Sequence, residues 1–510
     1  MILLTNDQAK QLDDIAINKY KISSSVLMEN AGHYIAIEAI SLLKNITDPT
    51  IFIICGKGNN GGDGFVAASI LYEKGYRVNL HSITKGINIK GDSLQYYNKC
   101  KTHDIPMTFG LKLPKQEYPD LIVDGILGTG TIGEIRKGIL SWIKWINKSD
   151  SKILSIDIPT GLNGSNGNVV SDAVKADRTV TFGFTKLGMV LRKGPDYCGT
   201  ILVRNIGFPK ISKDELNGIN WKVFTEDKVK KFLKRPELDS NKYTSGKVLI
   251  IAGSKGMTGA AILSSNSALR CGAGLTLTTS PESLNDIYEA KIIEGLIFQL
   301  LDNNKGFLND SHYDEIMEKV SWADSVLIGP GLGRHPTTKL LIEKLVKSIN
   351  KPLVLDADGL YPFFGRLNDL SKRKYPLIIT PHFGEFSYLC DINKNDIISE
   401  FSKFMDSKIK KFHHVILVKQ IPICTFSNNS ATVNISGNPG MATAGTGDVL
   451  AGMIASFIAQ GFSTFDSATM AAYIHGKASD KLLETKGYRG QLASDLLDYI
   501  PVIIKRYESP

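Results

Sequence analysis

Two rhythms of apolar residues alternate along the chain. Short, mainly apolar runs at 51–54, 121–123 and 153–156, and the alternating run at 77–81, are too brief for helices and read as strands. Longer stretches with apolar positions three and four apart read as helices, beginning near Phe65 and again over 139–146. Helical spacing also runs from 5 to about 43, with Asn6 or Asp7 as the expected cap. Its later part contains Ala31 and Gly32, small enough for another element to pass close. Alternation of this kind predicts a parallel sheet with crossover helices on both faces. Around 210–222 the pattern turns polar and irregular, with Pro209, Asn217-Gly218 and Asn220. We therefore expect a first domain over 1–212, a connection at 213–223 and a second domain over 224–510. The α/β rhythm restarts there, with strands at 247–251, 325–328, 353–355, 377–379 and 415–418 and a small-residue helix at 449–459.

In such sheets ligands bind beyond the carboxyl ends of the strands, so the loops that follow them should carry the chemistry. After 51–54 comes Gly56-Lys57-Gly58-Asn59-Asn60-Gly61-Gly62-Asp63-Gly64, with five glycines in nine residues. It reads as a loop before a helix, rich in backbone N–H groups and side-chain oxygens and suited to a phosphate. It matches neither the P-loop nor a simple dinucleotide fingerprint. Two further strand ends bear an acid beside glycine: Asp124-Gly125, leading to Gly128-Thr129-Gly130, and Asp157-Ile158-Pro159-Thr160-Gly161. Each acid taken singly reads as a cap or turn residue. Their recurrence at three strand ends points instead to one shared cleft.

In the second half, Ala444-Gly445-Thr446-Gly447-Asp448 precedes the small-residue helix. Its N–H groups suit the charge on a transferring phosphoryl group, and Asp448 is placed either to take a proton from an attacking hydroxyl or merely to cap the helix. Lys419, at a strand end, reads equally as a phosphate contact or a solvated lysine. His382, in Thr-Pro-His-Phe-Gly-Glu, reads equally as a ligand contact or a loop-bonded structural histidine.

Composition narrows the class. Across 510 residues, 43% are hydrophobic and 22% charged, as in a globular protein with more than one core. The net charge of +9 is spread over dispersed lysines without interleaved aromatics, so no nucleic-acid partner is expected. The six cysteines are scattered without metal spacing, and no run is long enough to span a bilayer. A cytoplasmic protein with reduced thiols and no membrane partner is expected.

Taken together, the motifs carry a resemblance. Leu27-Met28-Glu29-Asn30-Ala31-Gly32 and the three strand-end loops make the first half similar to the NAD(P)H-hydrate epimerases, which implies a Rossmann-like three-layer sandwich. The second half, through 253–260, 329–333, 356–359, 380–385 and 444–448, resembles the nucleotide-dependent NAD(P)H-hydrate dehydratases, ribokinase-like three-layer sandwiches. The order is that of the fused bifunctional repair enzymes. The resemblance implies NADHX and NADPHX as substrates, R and S hydrates that the first half interconverts. It further implies that the second half dehydrates the S form with ADP or ATP as phosphate donor, aided by Mg2+, in a homo-oligomer.

By the same resemblance Asn59, Asn60, Gly61, Gly62, Asp63, Gly128, Thr129, Gly130, Thr131, Ile132, Gly133, Glu134 and Asp157 hold the hydrate in the first site. Asn60, Asp124 and Thr160 hold K+, and Asp157 is the expected acid/base. In the second site Ala260, Gly331, His382 and Asp448 contact the hydrate, with Asp448 as base. Lys419, Gln420, Ile421, Pro422, Ile423 and Gly447 contact the nucleotide, Gln420 standing where the family usually has glycine. The competing expectation is a small-alcohol or vitamin kinase with a regulatory or nucleotide-sensing first half.

Overall fold

The computed structural model describes residues 1–114, 118–130, 133–211, 215–409 and 411–508. The chain divides into two compact units between Trp221 and Lys222, with Met1 belonging to the second. That boundary falls inside the strand Asn220–Val223, so the end of the expected connection is extended and ordered.

In the first unit seven strands form a parallel sheet in the order Met107–Phe109, Arg77–Ser82, Thr50–Cys55, Leu121–Gly125, Lys152–Ile156, Arg178–Phe182, Thr200–Arg204. Alternate residues of Thr50–Cys55 enter two different cores: Ile51 and Ile53 join one, Phe52 and Ile54 the other. Burial on both faces explains the run of apolar residues that marked this strand. The chain winds outward from Thr50–Cys55 in one direction, then returns to its opposite side at Leu121–Gly125. A crevice therefore opens at the carboxyl ends of these two neighbours.

Several expected boundaries move. The first helix, Asn6–Asp14, is capped by Thr5 rather than Asn6 or Asp7, because Thr5 and Gln8 close a reciprocal capping box. Asp124 lies within its strand, not after it, paired in register with Ile54 and Ser155. The glycine stretch is mostly helix: Asn59–Glu73 starts six residues before Phe65, with Gly58 as cap. The glycines there answer to packing rather than to loop flexibility. A Cβ on Gly61 would lie 2.1 Å from the Gly56 carbonyl oxygen, and one on Gly62 would lie 2.5 Å from Ser93 Oγ. The helix Ser24–Leu43 lies equally close, since a Cβ on Gly32 would sit 2.3 Å from Val66 Cβ.

The second unit carries nine consecutive strands in the order Leu296–Leu300, Leu275–Pro281, Lys247–Ile251, Ser325–Ile328, Leu353–Leu355, Leu377–Ile379, Val415–Val418, Ile423–Ser427, Ser430–Asn434. The first seven run parallel and the last two add an antiparallel hairpin. Its core is organised by the helix Thr446–Ala459, buried throughout from Val449 onward. Gly452 lets this helix press against Thr258–Arg270, for a Cβ there would lie 2.1 Å from Ser267 Oγ. The expected start at Val449 was late: the turn of helix before it already contains Asp448.

Candidate functional site

The three strand-end motifs of the first unit converge as expected. Asp124 is fully buried; its Oδ1 accepts from Thr160 Oγ1 at 2.7 Å, and its Oδ2 from the Thr160 N–H at 2.8 Å and Ser155 Oγ at 3.0 Å. Thr160 Oγ1 also accepts from the Leu127 N–H at 2.9 Å, which ties the second loop to the third. The first loop closes the group, since a Cβ on Gly128 would lie 3.3 Å from Asn60 Cγ. Burial raises the Asp124 carboxyl above its usual range, opposed by these hydrogen bonds. No cation offsets that charge among the described residues, and the Asn60 amide nitrogen is buried without a partner. The Asp124 carboxylate, the Thr160 hydroxyl and the oxygen of the Asn60 amide are the kind of donors a hard monovalent cation takes; the unpartnered Asn60 nitrogen is itself a hydrogen-bond donor and ligates none.

Asp157 lies apart from that trio, at the end of Lys152–Ile156, with φ +61°. Its Oδ1 is ion-paired with the buried Lys186 ammonium and accepts from Thr181 Oγ1 at 3.1 Å. Lys186 Nζ also donates to Thr181 Oγ1 at 2.9 Å, which aims the ammonium at the carboxylate. Asp63, in the first turns of Asn59–Glu73, is raised well above the carboxylate range by burial, then by the charges of Asp157 and Asp13, with Lys186 opposing. The carboxyls of Asp63, Asp157 and Asp13 thus lie within electrostatic reach of one lysine.

Of the other expected contacts, Gly128 and Thr129 lie half-buried in the turn beside Asn60, while Gly130, Gly133 and Glu134 are exposed. Thr131 and Ile132 lie outside the described residues. Sequence reasoning missed Lys186 and Thr181. Strand-end position was the signal used, and Lys186 enters from the chain following a different strand, recognisable only as a lysine beside apolar Leu187.

The second unit gathers its residues around the N-terminus of Thr446–Ala459. Gly445 caps it with φ +90°, and Asp448 lies in the first turn, its carbonyl accepting from Ser264 Oγ at 3.1 Å. Lys419 Nζ donates to buried Asp356 Oδ1 at 2.6 Å, and a Cβ on Gly447 would lie 3.3 Å from that ammonium. The Asp448 carboxyl is raised to about 6 by burial and then by Asp356, with Lys419 opposing and Asp358 adding. Lys419 is held above its usual range: burial works against it and is outweighed by Asp356, Glu385 and Asp448. The lone-surface reading of Lys419 is thereby set aside, and Asp356 emerges as its anchor.

Ala260 and Gly331 touch, since a Cβ on Gly331 would lie 2.9 Å from Ala260 Cβ. His382 bridges to Lys419 across the strand ends, and its Nδ1 caps the helix Phe383–Cys390 by accepting from the Glu385 N–H at 3.1 Å. The loop-bonded role of His382 is therefore real, and its Nε2 lies 3.6 Å from Glu385 Oε1. Gln420, Ile421 and Pro422 form the crossing from Val415–Val418 to the strand that begins with Ile423, and the side chain of Ile421 is exposed.

Comparison with known proteins bears directly on this pair of sites. A family model described as NAD(P)H-hydrate dehydratase matches residues 248–502, and one described as YjeF-related protein N-terminus matches residues 24–188. The bifunctional NAD(P)H-hydrate repair enzyme of Moorella thermoacetica is 33% identical over 518 residues, covering 100% of this chain and 97% of its own length. The chain belongs to the bifunctional NAD(P)H-hydrate repair enzymes. The repair enzyme of Salinibacter ruber is 32% identical, with 98% of this chain and 95% of its own length covered. An ADP/ATP-dependent NAD(P)H-hydrate dehydratase of Bacillus subtilis, co-crystallised with ATP and Mg2+, is 26% identical over 56% of this chain and 98% of its own, with a TM-score of 0.48. Like its family, the chain is an isomerase and a lyase in one α/β protein. The competing reading, a kinase with a regulatory first half, is set aside by a match that runs through both units. Among the described residues, no helix of the repair enzyme is long and apolar enough to cross a membrane, and all six cysteines are free.

Proposed function

We propose that residues 1–212 epimerise the R and S hydrates of NADH and NADPH at Asp157, and that residues 224–510 dehydrate the S hydrate through a phosphorylated intermediate, with Asp448 as base and ADP as donor. The observation that carries this reading is the Asp448 carboxyl, raised to about 6, at a helix N-terminus beside the Lys419–Asp356 pair. A hydroxide is a poor leaving group. A bound nucleotide supplies the phosphoryl group that turns it into a good one. Asp448 takes the proton from the substrate hydroxyl as that oxygen forms its bond to phosphorus and the donor's bridging P–O bond breaks, releasing AMP from ADP, while the N–H groups at the start of Thr446–Ala459 and the Lys419 ammonium stabilise negative charge. Phosphate then leaves the ring carbon as the adjacent carbon loses a proton, restoring the double bond. Gly447 and the crossing at 419–423 would line the nucleotide, and Ala260, Gly331 and His382 Nε2 the hydrate. No group of three His, Cys, Asp or Glu is placed to hold a metal among the described residues, so Mg2+ would be carried chiefly by the phosphates.

In the first unit Asp157 would serve as the acid/base of epimerisation, its carboxylate held in place by the ion pair with Lys186. Asn59 to Asp63 and the Gly128 turn would hold the hydrate. Asn60, Asp124 and Thr160 would hold K+, which supplies the charge that buried Asp124 lacks. The protein would act on free NADHX and NADPHX as a cytoplasmic homo-oligomer.

The deciding experiment gives purified protein mixed R and S hydrates with ADP and ATP in parallel and follows the return of reduced-nicotinamide absorbance. No return with either donor rejects the proposal, and return with ATP alone rejects ADP as donor. Two further outcomes are expected. Replacing K+ with tetramethylammonium lowers epimerisation by roughly tenfold, about 1.4 kcal/mol of binding or barrier, and leaves dehydration of purified S hydrate unchanged; an unaltered epimerisation rate removes the ion from the account. Since Asp448 must be ionised to act, kcat/KM for dehydration is expected to fall about tenfold per pH unit below about 6. A profile flat to pH 5 would reject Asp448 as the base.

A further inference from the structure

The segment that delivers the phosphoryl-binding turn is strapped to one face of the helix Thr464–Leu482. Asn434 Nδ2 donates to the Ala472 carbonyl at 2.8 Å, Ser436 Oγ to the Tyr473 carbonyl at 3.0 Å, and Asn438 Nδ2 to Ser479 Oγ at 2.9 Å. Gly476 on the same face lets the segment seat, for a Cβ there would lie 2.3 Å from Ser436 Oγ. His475 stands between these anchors, 3% exposed, beside the backbone of Thr446 at the start of Thr446–Ala459. Both its ring nitrogens are buried without a hydrogen bond of ordinary geometry. Every other polar group named on this face is engaged, and an unpaired buried imidazole is unfavourable. The ring stays neutral: burial lowers it to about 4, the Thr446 backbone opposing and the Lys419 charge adding to the effect.

We infer that His475 is a positioning residue for dehydration, closing a hydrogen bond onto the Thr446 backbone when the turn at 445–447 takes up its phosphoryl-bound form. The inference rests on the proposed dehydration at Asp448. Hydrogen bonds of catalytic loops are commonly long before the ligand binds and tighten in the complex. The ring touches no reacting atom; its role is to fix the N–H groups that do. Because the turn acts on the charge of the transferring group, its displacement by a fraction of an ångström lowers the rate of the chemical step more than substrate binding.

The test compares His475→Leu, His475→Asn and His475→Gln in the full chain. His475→Leu is expected to lower the kcat of dehydration by roughly 10- to 100-fold while both KM values stay within about threefold, with R to S conversion unchanged. One of the two amide variants is expected to return kcat to within about threefold of the unmodified protein by restoring a neutral donor. Full kcat in His475→Leu, equal losses in all three variants, or a loss confined to KM overturns the inference. Should His475→Leu not fold, the amide variants decide: one near full kcat supports the role, and both folded but impaired more than about tenfold overturns it. Unmodified protein that dehydrates nothing rejects the dehydration reading itself, a result distinguishable from any of these.

Discussion

Asp448→Asn is expected to lower the kcat of hydrate dehydration by about 10²- to 10⁴-fold, the usual contribution of a positioned general base, and to leave R to S conversion unchanged. The amide keeps the shape of the side chain and loses its basicity. The variant is also expected to hold its thermal stability at pH 8, and the reason lies in the direction of the carboxyl's shift. A carboxyl raised to about 6, by burial and by Asp356, favours the native state in its protonated form. That contribution is complete below the unfolded value near 3.8 and is lost as pH rises through about 6. Above that window the ionised group is disfavoured in the folded protein, and a neutral amide removes the penalty. Loss of rate with an undiminished melting temperature therefore separates a chemical role from a structural one; kcat within about fivefold of the unmodified protein would reject the base assignment.

For Asp157→Asn the expected loss is of similar size, about 10²- to 10⁴-fold in epimerisation, with dehydration of purified S hydrate intact. Here stability falls as well. Lys186 and Asp157 form an ion pair at side-chain exposures of 5% and 14%, and removing the Asp157 charge leaves the ammonium only the more distant carboxyls of Asp63 and Asp13. Breaking a buried pair destabilises by up to about 3–5 kcal/mol, and the remaining carboxyls reduce that cost. The double variant Asp157→Asn with Lys186→Met is expected to recover much of that stability and none of the epimerisation. Calorimetry on the two variants and a chiral separation of the hydrates check both halves of the statement. Equal loss of both reactions in Asp157→Asn would reject the assignment of one reaction to each unit.

The contrast between the two variants follows from how each acid is held. Asp448 is ionised against its surroundings, its nearest cation being largely committed to Asp356. Asp157 is held by Lys186 and Thr181, both of which bond to its Oδ1. The Asp448 carboxyl is raised by burial and a neighbouring acid, whereas the Asp157 carboxylate is paired with a buried lysine, which are opposite balances of burial and charge.

Much of this was legible from residue order, and the exceptions share a cause. Strands at 325–328, 353–355, 377–379 and 415–418 were expected with the bounds they have, because central strands of a parallel sheet are apolar on both faces and end where polarity returns. The glycines at 61, 62 and 64 were read as a loop because local propensity disfavours them in helices. They belong to a helix because Gly56, Ser93, Met28 and Cys55 leave no room for a Cβ. The apolar run predicts a strand that stops at 123, with Asp124 opening the loop beside Gly125. Asp124 is permitted inside the strand by donors from Ser155 and Thr160, which a one-dimensional reading cannot bring to it. His382 was left open between two roles, and the capping box with Glu385 establishes the structural one for Nδ1.

The amino-acid sequence by itself determined the two α/β halves, the strand ends at which chemistry collects, and the family those motifs belong to, since each depends on residues adjacent in the chain. Only the tertiary structure decided which charges meet. Lys186 reaches Asp157 across 29 positions, Lys419 reaches Asp356 across 63, and His475 comes to lie under Thr446 from a separate helix. Protonation is set by burial and by charges a few ångströms away, and those neighbours exist only once the sheet has brought distant strand ends side by side.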